Sequence, residues 1–241
     1  MSLDFDTTNP EEAQALIQKL ELRQKELDTA EKAKENFLDF VKAVWPEFIG
    51  GYHHKKIAEK FQLLKDKKLK RLIVNMPPRH TKSEFASFPL PAWIMGHAPK
   101  TKIIQATHTG ELAFRFGRKV RNLMDHEDYK RVFKDVELSA DSKAAGRWET
   151  NHGGEYFATG VGGAITGRGA DLLIIDDPHS EQDALSETAF DNAYEWYTSG
   201  PRQRLQPGGI IVIVMTRWST KDLTGRLMGA QKEIKADQWE V

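Results

Sequence analysis

The 241-residue sequence contains no cysteine, which excludes disulfides, thiolate nucleophiles and cysteine-ligated zinc sites. It has no excess charge of either sign, because 35 Lys and Arg residues balance 35 Asp and Glu residues. Without a global field to attract nucleic acid, any DNA contact must come from a local patch or from parts outside this chain. Long apolar runs and a signal-like N-terminus are also lacking, so we expect a soluble, intracellular protein without membrane contact.

The first 50 residues predict a helical lead-in that is part of the same domain as residues 51–241. Asn9 suits a helix cap, and Pro10 followed by two glutamates suits the first helical turn. The helix is expected to run to about Trp45, with a break near Thr29 and an amphipathic end. The apolar heptads do not persist, which argues against a coiled coil.

From residue 52 onwards, helical and strand patterns alternate. Helices are predicted at 52–64, 82–95, 109–124, 186–197 and 220–227, and strands at 71–75, 102–107, 171–176 and 210–215. A glycine-rich stretch, 151–169, predicts a hairpin around 155–159 and a flexible loop over the sheet edge. The pattern predicts an α/β fold of three layers, with a mostly parallel sheet and ligand groups at the carboxyl ends of its strands.

The segment after strand 71–75 combines a polar turn with a Lys-Ser pair at a helix start. Backbone N–H groups in such a turn bind phosphate, the lysine neutralises phosphate charge and the serine holds magnesium. The predicted nucleotide-binding residues are Pro77, Pro78, Arg79, His80, Thr81, Lys82, Ser83 and Glu84. The match to G-x-x-x-x-G-K-[ST] is partial, since Met76 and Thr81 replace its glycines. An ordinary strand-to-helix turn with a surface lysine is the alternative.

Two carboxylates follow the aliphatic strand 171–176. Asp176 is the expected metal-side residue beside Ser83, and Asp177 is expected to orient or deprotonate the attacking water. A strand that ends in a polar Asp-Asp-Pro turn is the alternative. The presence of both motifs in this order favours a nucleoside-triphosphatase.

A third strand, 210–215, ends in Thr216-Arg217-Trp218. On a strand beside a phosphate loop, Thr216 would sense the γ-phosphate and Arg217 would pass its loss to a neighbouring element. A strand cap with Trp218 packed in the core is the alternative.

The segments PPRHTKSE, TGRGADLLIIDDPH and SGPRQRLQPGGIIVIVMTRWSTKDLTGRL, in this order, resemble the large terminase subunits of tailed bacteriophages. The resemblance runs from about Phe37 to the last residue. It implies a RecA-like P-loop ATPase that uses ATP and Mg²⁺ to translocate double-stranded DNA into a procapsid. It also implies a homo-oligomeric ring at the capsid portal in the host cytoplasm, with the portal protein and the small terminase subunit as partners.

Carried over by resemblance, the phosphate loop, metal-side acid, catalytic acid and coupling motif fall on Thr81, Lys82, Ser83, Asp176, Asp177, Thr216 and Arg217. Two departures matter. Asp177 is one methylene shorter than the Glu that is common at its position. Thr81 places a β-branched side chain where the backbone must curl around phosphate. Either change is expected to slow hydrolysis by the isolated chain, while nucleotide binding is retained.

Several arginines compete for the role of a finger, the cation that reaches a neighbouring subunit's γ-phosphate. Arg168 is favoured and Arg204 comes next, whereas Arg79 is expected to act as a sensor of its own site. The predicted helix 109–124 adds a basic group that is either a DNA-facing patch, a subunit-facing patch or a solvated helix face: Arg115, Arg118, Lys119 and Arg121.

Adenine is expected to meet the region upstream of the first strand. The aromatic and imidazole side chains there either stack on the base or pack as core and helix start: Trp45, Phe48, Tyr52, His53 and His54. The histidine pair lacks further ligands at suitable spacing, so no zinc site is predicted.

The sequence therefore predicts an Mg-ATP hydrolase that is weakly active as a monomer. One alternative is another RecA-like DNA translocase or helicase, which would need a second such half. The other is a nucleotide-binding assembly module without efficient turnover. The RNase H-like nuclease domain of terminases is expected to be absent, and with it nuclease activity. Residues 237–241 resemble the middle of a strand, as at a truncated domain boundary.

Overall fold

A central sheet of seven strands organises the part of the chain that the structure describes. The computed structural model describes residues 9–165, 167–233 and 236–241, without the side chains of residues 142 and 143. The strands are Arg71–Asn75 (β1), Lys102–Thr107 (β2), Leu138–Ala144 (β3), Arg147–Thr150 (β4), Glu155–Gly160 (β5), Ala170–Asp176 (β6) and Leu205–Met215 (β7). Their order across the sheet is β1-β7-β6-β2-β5-β4-β3.

The first five strands in this order are parallel, and β4 and β3 are antiparallel additions. The strand that precedes the predicted phosphate loop, β1, is separated from the acid-bearing strand β6 by β7. This is the strand order of RecA-like ATPases, so the expected fold class is confirmed. The register pairs Asn75 with Met215, and Asp176 with Val214 and Thr107. The carboxyl ends of four parallel strands, β1, β7, β6 and β2, therefore lie at the same end of the sheet.

Helices cover both faces of the sheet. Within the described residues they are Pro10–Glu35 (α1), Phe37–Val44 (α2), Tyr52–Lys65 (α3), Lys82–Ser87 (α4), Pro89–His97 (α5), Gly110–Asp125 (α6), Glu127–Val132 (α7), Glu187–Ser199 (α8) and Leu223–Ala230 (α9). One buried cluster joins α2 through α7 to one face, and a second joins α8 and α9 to the other. None of these helices combines the length and apolar character that a membrane span requires.

The central strands are apolar on both sides because helices cover both sides. In β6, Leu172 and Ile174 belong to the first cluster, whereas Leu173 and Ile175 belong to the second. Each of these side chains is at most 2% exposed. This is why 171–176 and 210–215 read as continuous aliphatic runs rather than as alternating strands.

The lead-in breaks at a different residue from the one predicted. Asn9 caps α1 as expected, and α1 continues without interruption through Thr29. The break comes at Asn36, whose side chain accepts the N–H groups of Leu38 and Asp39 and so caps α2. The prediction of a break near Thr29 was wrong because a capping asparagine stops a helix more strongly than a β-branched residue does.

The predicted helix 82–95 is in fact two helices, α4 and α5, which meet at Phe88. Pro89 follows Phe88, has no N–H to donate and disfavours the regular helical conformation in the residue before it. The single-helix prediction therefore failed at a residue pair that carries its own stop signal.

The hairpin predicted around 155–159 is confirmed, since β4 and β5 pair antiparallel. Within the sheet β5 lies between β2 and β4, and the unpredicted strand β3 forms the edge. At the opposite edge, Glu240 makes a parallel bridge with Leu72. The strand-like segment 237–241 therefore contributes one bridge beside β1.

We predict that Gly117 of α6 accepts no side chain, because a Cβ there would lie 2.4 Å from the Ala145 carbonyl oxygen and 3.0 Å from the Tyr156 ring. Gly117→Ala should lower the free energy of unfolding by about 1–3 kcal/mol. Gly229→Ala is the matched control, since a Cβ in that part of α9 would meet nothing within 4 Å. It should raise the free energy of unfolding by about 0.5–1 kcal/mol. Urea unfolding of both variants measures this difference, and equal effects would contradict the packing described.

Candidate functional site

Three strand ends meet at the side chain of Lys82. This lysine opens α4 directly after the loop that follows β1, and it is only 6% exposed. Its Nζ lies 2.8 Å from Asp177 Oδ2 and donates to Thr216 Oγ1 at 3.1 Å. Asp177 Oδ1 accepts the backbone N–H of Thr216 at 2.8 Å. The buried ammonium is therefore paired with groups that follow β6 and β7.

The carboxylate of Asp176 lies behind this pair and is 1% exposed. Its Oδ1 accepts the hydroxyl of Ser83 and its Oδ2 accepts the hydroxyl of Ser87, each at 2.7 Å. Burial raises the pKa of Asp176 to about 7, against the opposing effects of the two hydroxyls and of Lys82. A cation beside Ser83 would favour the ionised form that burial disfavours.

Several residues with a strained backbone lie beside these strand ends. Among the described residues, the non-glycine residues with positive φ include Arg79 at 64°, Thr81 at 56° and Asp177 at 40°. A left-handed conformation costs a non-glycine residue about 1–2 kcal/mol. Such conformations persist only where their surroundings impose them, and they cluster at ligand sites. The loop is thus held in a shape that its sequence does not favour.

Thr81 occupies the position where the phosphate-loop pattern has glycine, and its side chain has a specific partner. The Nε2 atom of His54 lies 2.6 Å from Thr81 Oγ1. His54 itself is 4% exposed, and burial together with the neighbouring His53 lowers its pKa to about 4. The imidazole is therefore neutral at neutral pH.

The Arg217 side chain contacts the start of α9. Its Nε lies 3.2 Å from Asp222 Oδ2, and its Nη2 donates to the Ser219 carbonyl at 2.9 Å. Asp222 is fully buried and also accepts the backbone N–H groups of Ser219, Gly225 and Trp218. Burial alone would raise the pKa of Asp222, but these N–H groups and Arg217 hold it below its usual value. The segment after β7 is thereby joined to α9.

The other residues predicted to bind nucleotide are Pro77 to Thr81 and Glu84, and their surroundings differ from those of the buried Lys82. The exposed part of the loop consists of Pro77, Pro78, Arg79, His80 and Thr81. The Nδ1 atom of His80 lies 2.9 Å from the Pro78 carbonyl oxygen, which folds the ring back onto the loop. Glu84 forms ion pairs with Lys119 and with Arg115, both on α6. Its carboxylate therefore ties α4 to α6.

The predicted finger arginines lie away from their own site. Arg168 forms an ion pair with Glu155, and its guanidinium carbon lies 4.1 Å from the centre of the Phe157 ring. Arg204 immediately precedes β7, and its buried Nε makes no hydrogen bond within the described part of the chain. Both arginines precede the amino ends of their strands, so they lie at the end of the sheet opposite the loop that follows β1. Only Arg79 lies on the loop itself.

The region predicted to meet adenine divides into a buried and an exposed part. Trp45 and Phe48 have ring centres 5.4 Å apart and pack against the first core cluster. Tyr52 is 74% exposed, and the His53 ring centre lies 6.0 Å from that of His80. Packing as core therefore describes Trp45 and Phe48, whereas Tyr52 is exposed and His53 lies beside the loop residue His80.

Sequence reasoning did not name Ser87 as a site residue, and it assigned His54 to the adenine region without its contact to Thr81. Ser87 follows Ser83 by one helical turn, and this i, i+4 spacing would have placed both hydroxyls on one face of α4. His54 lies 27 residues before Thr81. No local pattern connects them, so only the folded chain reveals the contact.

Comparisons with known proteins add little to these observations. No family model and no curated protein matches the sequence. Among solved structures, the crystal structure of the HK97 bacteriophage large terminase is similar, with 16% sequence identity and a TM-score of 0.47. The match covers 77% of this chain and 37% of that chain. A likeness of this strength carries no functional argument, which therefore depends on the residues themselves.

We predict that Asp176→Asn stabilises the nucleotide-free protein. The folded-state pKa of about 7 lies above the usual value of 3.8. The folded protein therefore holds an extra proton between these values, and the free energy of unfolding falls as pH rises through that window. The neutral amide removes this loss, so at pH 8 the unfolding midpoint should rise by at least about 2–4 °C, the shift that ~1 kcal/mol produces in a domain of this size.

Thermal unfolding at pH 8 and pH 5 tests this expectation. The gain should shrink at pH 5, where Asp176 is itself largely protonated. A midpoint that falls at pH 8, or a gain that is equal at both pH values, would show that burial does not penalise this carboxylate.

Proposed function

We propose that this chain is the ATP-hydrolysing motor domain of a phage large terminase, which would drive double-stranded DNA into a procapsid. The observation that carries the nucleotide part is the buried Lys82, held between Asp177 and Thr216 beside the Ser83–Asp176 hydrogen bond. A lysine, a hydroxyl and two acids at adjacent strand ends are the groups that Mg-ATP chemistry requires. The DNA-packaging part is supported by the sequence segments that resemble large terminases.

In this proposal, nucleotide binding exchanges the partner of Lys82. A triphosphate carries more negative charge than one carboxylate, so the ammonium would turn from Asp177 Oδ2 towards the phosphate oxygens. Asp177 Oδ1 would still accept the Thr216 N–H. Its Oδ2, released by Lys82, would be free to accept a proton from water. The water oxygen would attack the γ-phosphorus, and the bond from that phosphorus to the oxygen bridging the β- and γ-phosphates would break, so that ADP leaves. The proton of the water would pass to Asp177. Lys82 stabilises the charge that develops on the leaving phosphate.

The donor set fits Mg²⁺, which prefers hard oxygen ligands and retains several waters. Ser83 would hold the ion directly and Asp176 would hold it through the Ser83 hydroxyl or a water. Within the described ranges, no group of three or more His, Asp or Glu side chains forms a metal cage. The remaining ligands would therefore be phosphate and water oxygens. When bound, the ion neutralises phosphate charge.

Thr216 and Arg217 would couple the nucleotide to motion. Thr216 contacts both Lys82 and Asp177, the two groups whose pairing changes in this proposal. The next residue, Arg217, is joined through Asp222 to the start of α9. A change at the phosphate site would thus reach α9 through two adjacent residues.

The proposed motor comprises residues 51–241, with the lead-in 1–50 as part of it. Its site would be completed in a homo-oligomeric ring assembled with the portal protein and the small terminase subunit. Arg168 and Arg204 lie at the end of the sheet opposite Lys82, so either can serve only a neighbouring subunit. A head-to-tail ring brings unlike surfaces of successive subunits together, as such a finger requires.

One observation favours a second function, a nucleotide-binding assembly module with little turnover. Both oxygens of Asp177 are engaged, and its side chain is one methylene shorter than glutamate. If the carboxylate stays on Thr216 and Lys82, no base remains to activate water. The kinetic comparison of Lys82 and Asp177 variants distinguishes the two functions.

We predict that Lys82→Ala and Asp177→Asn fail in different ways. Lys82→Ala removes the cation that binds phosphate, so the Kd for Mg-ATP should rise by at least about tenfold, or 1.4 kcal/mol. Asp177→Asn removes the proton acceptor but also a carboxylate that competes for Lys82. Its kcat should fall by about 10²–10⁴-fold while nucleotide binds at least as tightly. Steady-state phosphate release and titration with a fluorescent ATP analogue measure both quantities.

Lys130→Ala is the matched control, since Lys130 pairs with Asp125 at the surface and not at the phosphate loop. It should leave both constants unchanged. Equal, background-level phosphate release in the wild type, Lys82→Ala and Asp177→Asn, with nucleotide still bound by the wild type, would favour the binding module. Absence of nucleotide binding by the wild type would overturn the proposed function.

A ring completed in trans predicts that ATPase activity per subunit rises with protein concentration. Dilution series measured beside analytical ultracentrifugation would relate activity to assembly. Activity per subunit that stays constant while the chain assembles would contradict a finger supplied by a neighbour.

A further inference from the structure

A chain of hydrogen bonds runs from the start of α3 to the phosphate loop through His54. The backbone N–H of Gly51 lies 2.9 Å from His54 Nδ1, so Nδ1 is the acceptor and the ring proton resides on Nε2. Nε2–H then donates to Thr81 Oγ1 at 2.6 Å, and the Thr81 hydroxyl donates to the His80 carbonyl at 2.7 Å. Every donor and acceptor in the chain is thereby assigned a single role.

The anchored end of this chain lies in the core. The His54 ring centre is 4.8 Å from that of Phe48 and 5.0 Å from that of Phe85. Phe85 belongs to α4, the helix that Lys82 opens. The imidazole is therefore fixed by packing against the phosphate-loop helix itself, and it presents Nε2 to Thr81, the exposed residue that immediately precedes this helix.

Thr81 is the residue that needs such support. It has φ 56° and ψ 15°, a left-handed conformation that glycine adopts without strain and that a β-branched residue rarely adopts. It immediately precedes Lys82, so its dihedral angles set the direction in which the Lys82 side chain and the following N–H groups point. Rotation of Thr81 to a relaxed conformation would break both hydrogen bonds of its hydroxyl.

We propose that His54 is a positioning residue of the phosphate loop, which holds Thr81 in the left-handed conformation that a glycine would adopt unaided. His54 would thus compensate for the missing glycine of the phosphate-loop pattern. It contacts no phosphate and acts only through Thr81. This inference rests on the proposed function as a nucleotide-binding loop, and it assigns His54 to loop geometry rather than to the adenine base.

A double-mutant cycle tests the assignment, because it measures whether His54 acts through Thr81. The four proteins are the wild type, His54→Phe, Thr81→Gly and the double variant. Phenylalanine keeps an aromatic ring among Phe48 and Phe85 but cannot donate a hydrogen bond. In the protein that retains Thr81, His54→Phe should raise the Kd for a fluorescent ATP analogue by at least about tenfold. In the Thr81→Gly background the same change should alter Kd by less than about twofold.

Two further variants separate positioning from general stability. His54→Gln can still donate from its amide nitrogen to the Thr81 hydroxyl, so it should recover a large part of the lost affinity. His97→Phe is the matched control, since its Nε2 bonds the Lys34 carbonyl at 2.8 Å, remote from the phosphate loop. It should lower the thermal unfolding midpoint without changing Kd. Unfolding midpoints measured for all variants show whether each one is folded.

The tautomer of His54 supplies a readout that does not depend on nucleotide. Long-range ¹H–¹⁵N spectra of the ring should show a proton on Nε2 and none on Nδ1 in the wild type. If the spectra agree but the wild type binds no nucleotide, the proposed function fails while the contact stands. If nucleotide binds and His54→Phe changes Kd equally in both backgrounds, or in neither, the positioning role is overturned.

Discussion

The site depends on one buried cation. The Lys82 ammonium is 6% exposed, and an ammonium at that depth is tolerable only where anions and acceptors surround it. Asp177 and Thr216 fulfil this need, and they do so from the ends of two different strands. Burial of the lysine therefore depends on the parallel register that aligns the ends of β6 and β7. Apolar β6 and β7 bring the polar groups together because their own side chains are buried on both faces.

Two features close to Lys82 and Asp177 lower the stability of the folded chain. Asp176 is buried with a pKa raised to about 7, and the loop before Lys82 contains non-glycine residues with positive φ. Each feature is unfavourable in the chain without ligands, and under the proposed function a cation would relieve the first and a phosphate the second. Sites in which charge and strain are arranged before the ligand arrives bind and react with less reorganisation. The same features explain why the loop needs a contact from the core.

Much of the architecture followed from local signals. The strands 71–75, 102–107 and 171–176 were predicted at or within one residue of their ends, because continuous aliphatic runs flanked by polar turns have few other solutions. Errors came where a second signal competed. Asn36 stopped α1 in place of Thr29, and Pro89 divided a predicted single helix into α4 and α5. The edge strand β3 has too few apolar residues to be recognised, and it forms because β4 offers it a partner.

The sequence by itself determined the groups of the candidate site and the order in which they occur. A lysine, two acids and a threonine each follow an apolar strand, and parallel strands place their carboxyl ends at the same end of the sheet. Tertiary structure alone decided how these groups pair. It brought Ser87 and Ser83 to opposite oxygens of Asp176, turned Arg217 towards α9, and placed His54 against Thr81 across 27 positions. The reason is physical: periodicity reports which face of an element is buried, whereas hydrogen bonds between distant elements depend on packing at the ångström scale, which no local pattern records.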